Sequence, residues 1–251
     1  MLPLLIFALQ TAPVQDVPAA PKEPPRFTQC MDLATGDPAK ALADAVQWRS
    51  EGGGVMARQC MGVAYANQGK WAAAAGTFED AAHEAEAAKD PRAPQYWASA
   101  GNAWIAGGEP AKARAAIDAA LATGTLAGLD LGEAHLDRAR AMVALGDMES
   151  ARSDIDKATT YAANDPLAWL LSATLARRAG DLPRGATDIT EALRRAGDDP
   201  SVQLEAGNVA AASGNEADAR TAWNRVIELA PGTAVANAAR KALEQFGATE
   251  K

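Results

Sequence analysis

The sequence predicts an all-α chain folded as a solenoid of stacked helical hairpins, and three observations carry that expectation. A glycine recurs at Gly69, Gly108, Gly146, Gly180 and Gly214, with spacings of 39, 38, 34 and 34 residues. Self-similarity at a period near 34 residues marks an array in which each unit buries its apolar face only against its neighbours. Each glycine also sits at the same point of one pattern: an apolar helical run, the glycine, then a second run with a small residue five positions on and a bulky apolar residue nine on. Finally, no useful length of chain alternates apolar and polar residues with period two, so no sheet is expected.

Leu2 to Leu9 form a short apolar run, well under the ~20 residues that cross a bilayer as a helix, so no membrane span is expected. The run is similar to the apolar stretch of a secretory signal peptide, although no Lys or Arg precedes it and no clear small-x-small cleavage site follows. Residues 1–12 are accordingly expected to be a signal peptide for export to the periplasm or out of the cell. Left uncleaved, the same run would be a weak membrane tether. Residues 13–26 carry Pro13, Pro18, Pro21, Pro24 and Pro25 with little to bury, and are expected to form an extended, disordered spacer.

Residues 27–54 read as a degenerate first unit. Gly36 lies 33 residues before Gly69, with Phe27 to Ala34 as a short first helix, Pro38 to Arg49 as the second, and Trp48 facing the stack. Gly52, Gly53 and Gly54 then read as a hinge; with no strand before them and no lysine after, they are not a phosphate-binding loop.

Residues 55–233 hold five clear units. The first places Met61, Gly62, Ala64 and Tyr65 on one helix and Ala74, Phe78 and Ala81 on the next, with Trp71 at the turn. The second has Trp97, Ala100, Gly101, Ala103 and Trp104, then Pro110, Ala113, Ile117 and Ala120. The third uses His135, Arg138, Ala139 and Met142, then Met148, Ala151, Ile155 and Ala158. The fourth has Trp169, Ala173 and Ala176, then Leu182, Ile189 and Ala192; the fifth has Gly207 and Ala210, then Ala219, Trp223 and Val226. Small residues let the two helices of a hairpin approach closely, and large ones fill the space between hairpins.

This pattern resembles the tetratricopeptide repeat (TPR), and the resemblance implies a right-handed superhelical solenoid. Arg138, Gly185 and Gln203 depart from the family pattern, standing for an apolar residue, an alanine and an aromatic. Beyond the fifth unit, Ala234 to Phe246 read as a helix within a capping segment, residues 234–247, that covers the apolar end of the stack. Asp37-Pro38, Asp90-Pro91, Asp165-Pro166 and Asp199-Pro200 each offer a carboxylate cap followed by proline at the first helical position. The extra residues of the longer spacings fall at the ends of second helices and in the loops after them, around His83 to Pro94 and Leu121 to Asp130.

By register Cys30 and Cys60 fall on the first helices of neighbouring units. Export and adjacency favour a disulfide that staples the degenerate unit to the body; two buried free thiols are the alternative.

The chain carries 24 basic and 32 acidic residues, a net charge of −8, and 5% aromatics. That balance disfavours binding to a phosphate backbone, so no nucleic-acid partner is expected. No catalytic, cofactor-binding or metal site is read. His135 takes a position held by tryptophan in other units and reads as a packed imidazole, and His83 with Glu84 and Glu86 does not place three ligands on one helical face. Trp71, Trp97, Trp104, Trp169 and Trp223 follow the repeat register and read as core.

The resemblance further implies that the first helix of each unit lines a concave groove that meets a protein or peptide partner. Its exposed face would include Gln59, Val63 and Asn67; Gln95, Ser99, Asn102 and Ile105; Asp137, Arg140 and Val143; Leu170, Thr174, Arg177 and Arg178; and Leu204, Glu205 and Asn208. Asn102 and Asn208 share one register position, where a carboxamide can donate to and accept from a bound backbone. Arg140, Arg177 and Arg178 can pair with a partner's carboxylate. The expected function is a monomeric, non-catalytic scaffold for protein–protein interaction in assembly of a cell-envelope complex. A self-associating structural array is the alternative, and an enzyme or small-molecule binding protein has the least support.

Overall fold

The structure, a computed structural model, describes residues 25–248. The expected signal peptide and all but two residues of the expected spacer lie outside them; Pro25 and Arg26, placed at the end of the spacer, instead open a helix. The described residues form thirteen helices and no strand. They pair as α1 (Pro25–Gly36) with α2 (Pro38–Ser50), α3 (Gly54–Asn67) with α4 (Trp71–Ala87), and α5 (Ala93–Ala106) with α6 (Pro110–Ala122). Next come α7 (Gly128–Leu145) with α8 (Met148–Tyr161), α9 (Pro166–Arg178) with α10 (Leu182–Ala196), and α11 (Pro200–Ala212) with α12 (Glu216–Leu229), before α13 (Ala234–Ala248).

The recurrent glycine makes one corner five times. Gly69, Gly108, Gly146, Gly180 and Gly214 all have φ between 69 and 81°, a left-handed conformation that a Cβ disfavours. At every corner the glycine N–H reaches the carbonyl three residues back, and the next N–H reaches the carbonyl five back, as in Lys70 to Tyr65 and Asn215 to Ala210. This closes the orphan carbonyls of the first helix before the second begins. Gly36 does not follow suit: it stays helical, and Asp37 alone separates α1 from α2.

The hairpins are held by small residues facing large ones. A Cβ at Gly62 would meet the Phe78 ring at 2.6 Å, one at Gly101 would meet Ile117 at 2.3 Å, and one at Gly207 would meet Trp223 at 2.4 Å. Each bulky residue so covered adds roughly 1.5–3 kcal/mol of burial. Between hairpins, α1 packs on α3, α5 on α7, α9 on α11, and α11 on α13, while no two second helices pack broadly on each other. α3 and α5, and α7 and α9, stay further apart, but more first helices than second approach one another, which puts the first helices on the inner side of a curved stack. At the far end α13 covers α12, with Phe246 edge-on to Trp223 at 5.5 Å.

Cys30 and Cys60 are bonded, with Cα atoms 6.1 Å apart, so α1 is stapled to α3. Asn67 Nδ2 donates to Ala34 O at 2.8 Å and Gln68 Nε2 to Pro38 O at 3.1 Å, tying the same two hairpins together.

Several local expectations change. Asp37, Asp165 and Asp199 do cap α2, α9 and α11, but Asp90 caps no helix. It accepts from Arg92 N and grips the Arg92 guanidinium in the turn just before α5 starts at Ala93. The additional residues near His83 lengthen α4, whose Ala81, Ala82 and Ala85 are buried with Ala93 and Tyr96. Those near Leu121 extend the following first helix, so α7 has 18 residues. Trp71 is 37% exposed rather than core, because it sits at the corner and lies along the next corner at Gly107.

Candidate partner-binding groove

The inner surface is made by α3, α5, α7, α9 and α11, and the expected partner-facing residues divide into two sets there. One set bridges neighbouring helices. Tyr96 Oη donates to Gln59 Oε1 at 3.2 Å, and Asn102 Nδ2 donates to Asp137 Oδ2 at 3.0 Å. Arg177 grips Glu205 through Nε at 2.7 Å and Nη2 at 3.1 Å. Asn67 holds α1, as above, and Val63 packs between two apolar clusters. Asn208 is occupied at both ends of its carboxamide, accepting from Trp223 Nε1 at 3.2 Å and donating to Glu205 Oε2 at 3.1 Å. Leu204 packs towards Trp223, and Glu205 is buried. These residues set the spacing of the helices.

The second set keeps exposed surface. Gln95, Asn102 and Arg178 are exposed, and Ser99, Arg140, Val143, Leu170 and Thr174 are half-buried. Thr174 Oγ1 donates back to Leu170 O within its own helix. Asn102 and Asp137 belong to both sets: Asn102 stays exposed while it bonds Asp137, and Arg140 Nη1 donates to Asp137 Oδ1 at 2.8 Å.

Charge is divided along this surface. Asp130, Glu133 and Asp137 line a cleft between α5 and α7, opposite Gln95, Ser99 and Asn102. Burial pushes the Glu133 carboxyl up, and the negative charges of Asp130, Asp137 and Asp165 push it further. Burial likewise raises Asp137, against the pull of Arg140 and with help from Asp165. Arg140 and Arg178 instead flank a cleft between α7 and α9.

Behind the inner surface the buried polar groups are matched. His135 packs as expected, but with a counter-charge: its Nδ1 lies 3.0 Å from Asp154 Oδ1, and Arg138 donates to the same carboxylate from Nε at 2.7 Å. An ionised carboxylate only accepts, so Nδ1 carries the proton. Burial opposes the Asp154 charge, yet the bonds from His135 and Arg138 outweigh it and bring the carboxyl down to about 2. One period on, Ser172 Oγ donates to Asp188, and Arg152 Nη2 donates to Ser172 Oγ at 2.9 Å. The signal for this network was present in Arg138, whose charge at an apolar register position demands a partner. Among the described residues no group of three His, Cys, Asp or Glu side chains is arranged to hold a metal, and no helix is long and apolar enough to cross a membrane.

Fold and surface together define a helical-repeat protein whose inner face is built from equivalent helices. The tetratricopeptide repeat family model matches residues 61–128 and 170–234, more than half of the chain, and the protein belongs to that family. The crystal structure of PilW, a type IV pilus biogenesis factor, is similar with a TM-score of 0.70 at 18% identity, covering 84% of this chain and 95% of that one. PilF of Pseudomonas aeruginosa gives a TM-score of 0.70 at 13% identity, over 90% and 98%. YrrB, described as a TPR protein with an unusual peptide-binding site, gives 0.55 at 17%, over 80% and 98%. At these identities the likeness is one of fold. No curated protein matches significantly.

Proposed function

We propose that the protein is a non-catalytic scaffold that binds a segment of another protein along the inner face of α3 to α11 and helps assemble a complex in the cell envelope. The observation that carries this reading is the second set of inner-face residues. Asn102, Arg140, Thr174 and Arg178 stay accessible on successive first helices, while their neighbours are committed to holding those helices apart. Partner binding by TPR proteins, and the peptide-binding site named for YrrB, support it. The bonded pair Cys30–Cys60 fits an oxidising compartment, and the fold is shared with PilW, named for pilus biogenesis.

End-to-end self-association has less support. The open side of the first hairpin carries Arg26, Asp32, Asp37, Lys40 and Asp44 around Leu33 and Trp48, so an apolar contact with a second copy would have to bury several charges beside it.

Site-specific photo-crosslinking in the native cell tests the proposal. A photoreactive residue at Thr174 on the inner face should give a discrete protein adduct, and one at Thr187, exposed on α10, should not. Identical adducts from both sites, or none from Thr174, would reject it.

A further inference from the structure

The inner seam between α7 and α9 differs from the seams on either side. The backbones of α5 and α7, and of α9 and α11, approach closely, whereas those of α7 and α9 stay further apart and meet through side chains, Ala139, Met142 and Val143 on one and Leu171 and Leu175 on the other. The gap is a cleft of about 200 Å³, walled by Val143, Leu171 and Leu175, with Ile155 of α8 also in its lining. A space of that size is below the ~300–1,000 Å³ of small-molecule pockets and suits a single aliphatic side chain. Arg140 and Arg178 stand on its lining. Arg140 is held by Asp137 and keeps 35% of its side chain exposed. Arg178 is exposed and has no ion-pair or hydrogen-bond partner among the described residues, although adjacent Arg177 is fully engaged with Glu205.

We propose that this seam is a docking point for a partner segment that places an aliphatic side chain in the cleft and a neighbouring carboxylate on Arg178. The inference rests on the scaffold reading and gives the partner's chemistry. In a chain of net charge −8, an unpaired guanidinium beside an apolar cleft rimmed by half-buried Val143 and Leu171 is complementary to an acidic, aliphatic sequence. The planar fork of arginine grips a carboxylate through two parallel bonds. Next along the inner face, Asp130 and Glu133 repel a second carboxylate, so the register of an acidic segment is fixed by repulsion as well as attraction.

A displayed library of random nine-residue peptides, selected on the oxidised protein, tests the inference, with the winners synthesised and measured by fluorescence anisotropy. The selected sequences, synthesised with amidated C-termini, should pair Leu, Ile, Val or Met with a nearby Asp or Glu side chain. Arg178→Glu should weaken them about tenfold or more, the loss of one charge-assisted pair, with circular dichroism unchanged; Arg178→Gln, which leaves no anion at the C-terminal end of α9, should weaken them too. Arg194→Glu, a charge reversal on exposed α10, should leave binding intact. Winners without a carboxylate, or affinities that stay within about twofold in Arg178→Glu, overturn the cleft while leaving the scaffold reading in place. A library that yields no binder also counts against the cleft, and the Thr174 crosslink then judges the scaffold reading separately.

Discussion

At the scale of single residues, the same substitution has opposite consequences at two glycines. Gly101 lies where a Cβ would press Ile117 at 2.3 Å, so Gly101→Ala forces the core apart and should cost about 1–3 kcal/mol. Gly185 has its nearest neighbour at 3.6 Å, with room for a methyl group. Gly185→Ala should therefore stabilise by roughly 0.5–1 kcal/mol through helix propensity and a less flexible unfolded chain. Urea titrations of the two variants check both signs. Asp154 gives a pH dependence. Its carboxyl falls from 3.8 to about 2 on folding, so its charge stabilises the fold above the unfolded value, and the contribution is lost as pH drops through the folded one. Asp154→Asn should cost on the order of 2 kcal/mol at neutral pH, with the gap from wild type narrowing below about pH 4 and closing near pH 2. A gap that held constant over that range would show that the carboxylate's charge contributes nothing.

At the scale of elements, α1 is the helix that most needs a covalent tie. It has one hairpin partner, one neighbouring first helix and no unit before it among the described residues, whereas inner repeats are supported from both sides. Its disulfide closes a loop with a sequence separation of 30, worth about 3.6 kcal/mol in the chain-entropy account. Because stability in repeat arrays is passed between nearest neighbours, replacing both cysteines with alanine should speed amide exchange in α1 and α2 and leave α9 to α12 close to wild type. Hydrogen exchange read by mass spectrometry resolves this. Equal acceleration throughout would mean that the array melts as one unit.

At the scale of the whole molecule, the opening at α1 and α2 sets Asp32, Asp37, Lys40 and Asp44 around Leu33 and Trp48, and α13 covers the apolar side of α12 at the other end of the described residues, so end-to-end stacking would have to bury charge at one end. Sedimentation equilibrium should give one protomer mass across a wide concentration range. A mass rising with concentration would favour the self-associating array instead. The curvature that makes an inner face belongs to this scale too, since it arises from the sum over all units of first helices that approach one another more often than the second helices do.

The repeat period, the corner glycines and the small-against-large packing were legible in the residues, because each is a local steric demand that recurs whenever a hairpin is made. Three of the four Asp-Pro caps followed for the same reason, and Asp90 did not because Arg92 offered its carboxylate a stronger partner than a helix N-terminus. What the period could not convey was which polar residues stay exposed and which partners they take. Asn102 and Asn208 share one register position, yet Asn208 is half-buried and held by Trp223 and Glu205 while Asn102 stays exposed and bonds Asp137 on the next first helix. The open seam between α7 and α9 is likewise invisible in one dimension. Sequence alone determined the repeating hairpin, since its causes lie within some 34 residues; only the tertiary structure decided the binding surface, because pairing and gaps between helices depend on distances set by non-neighbouring units.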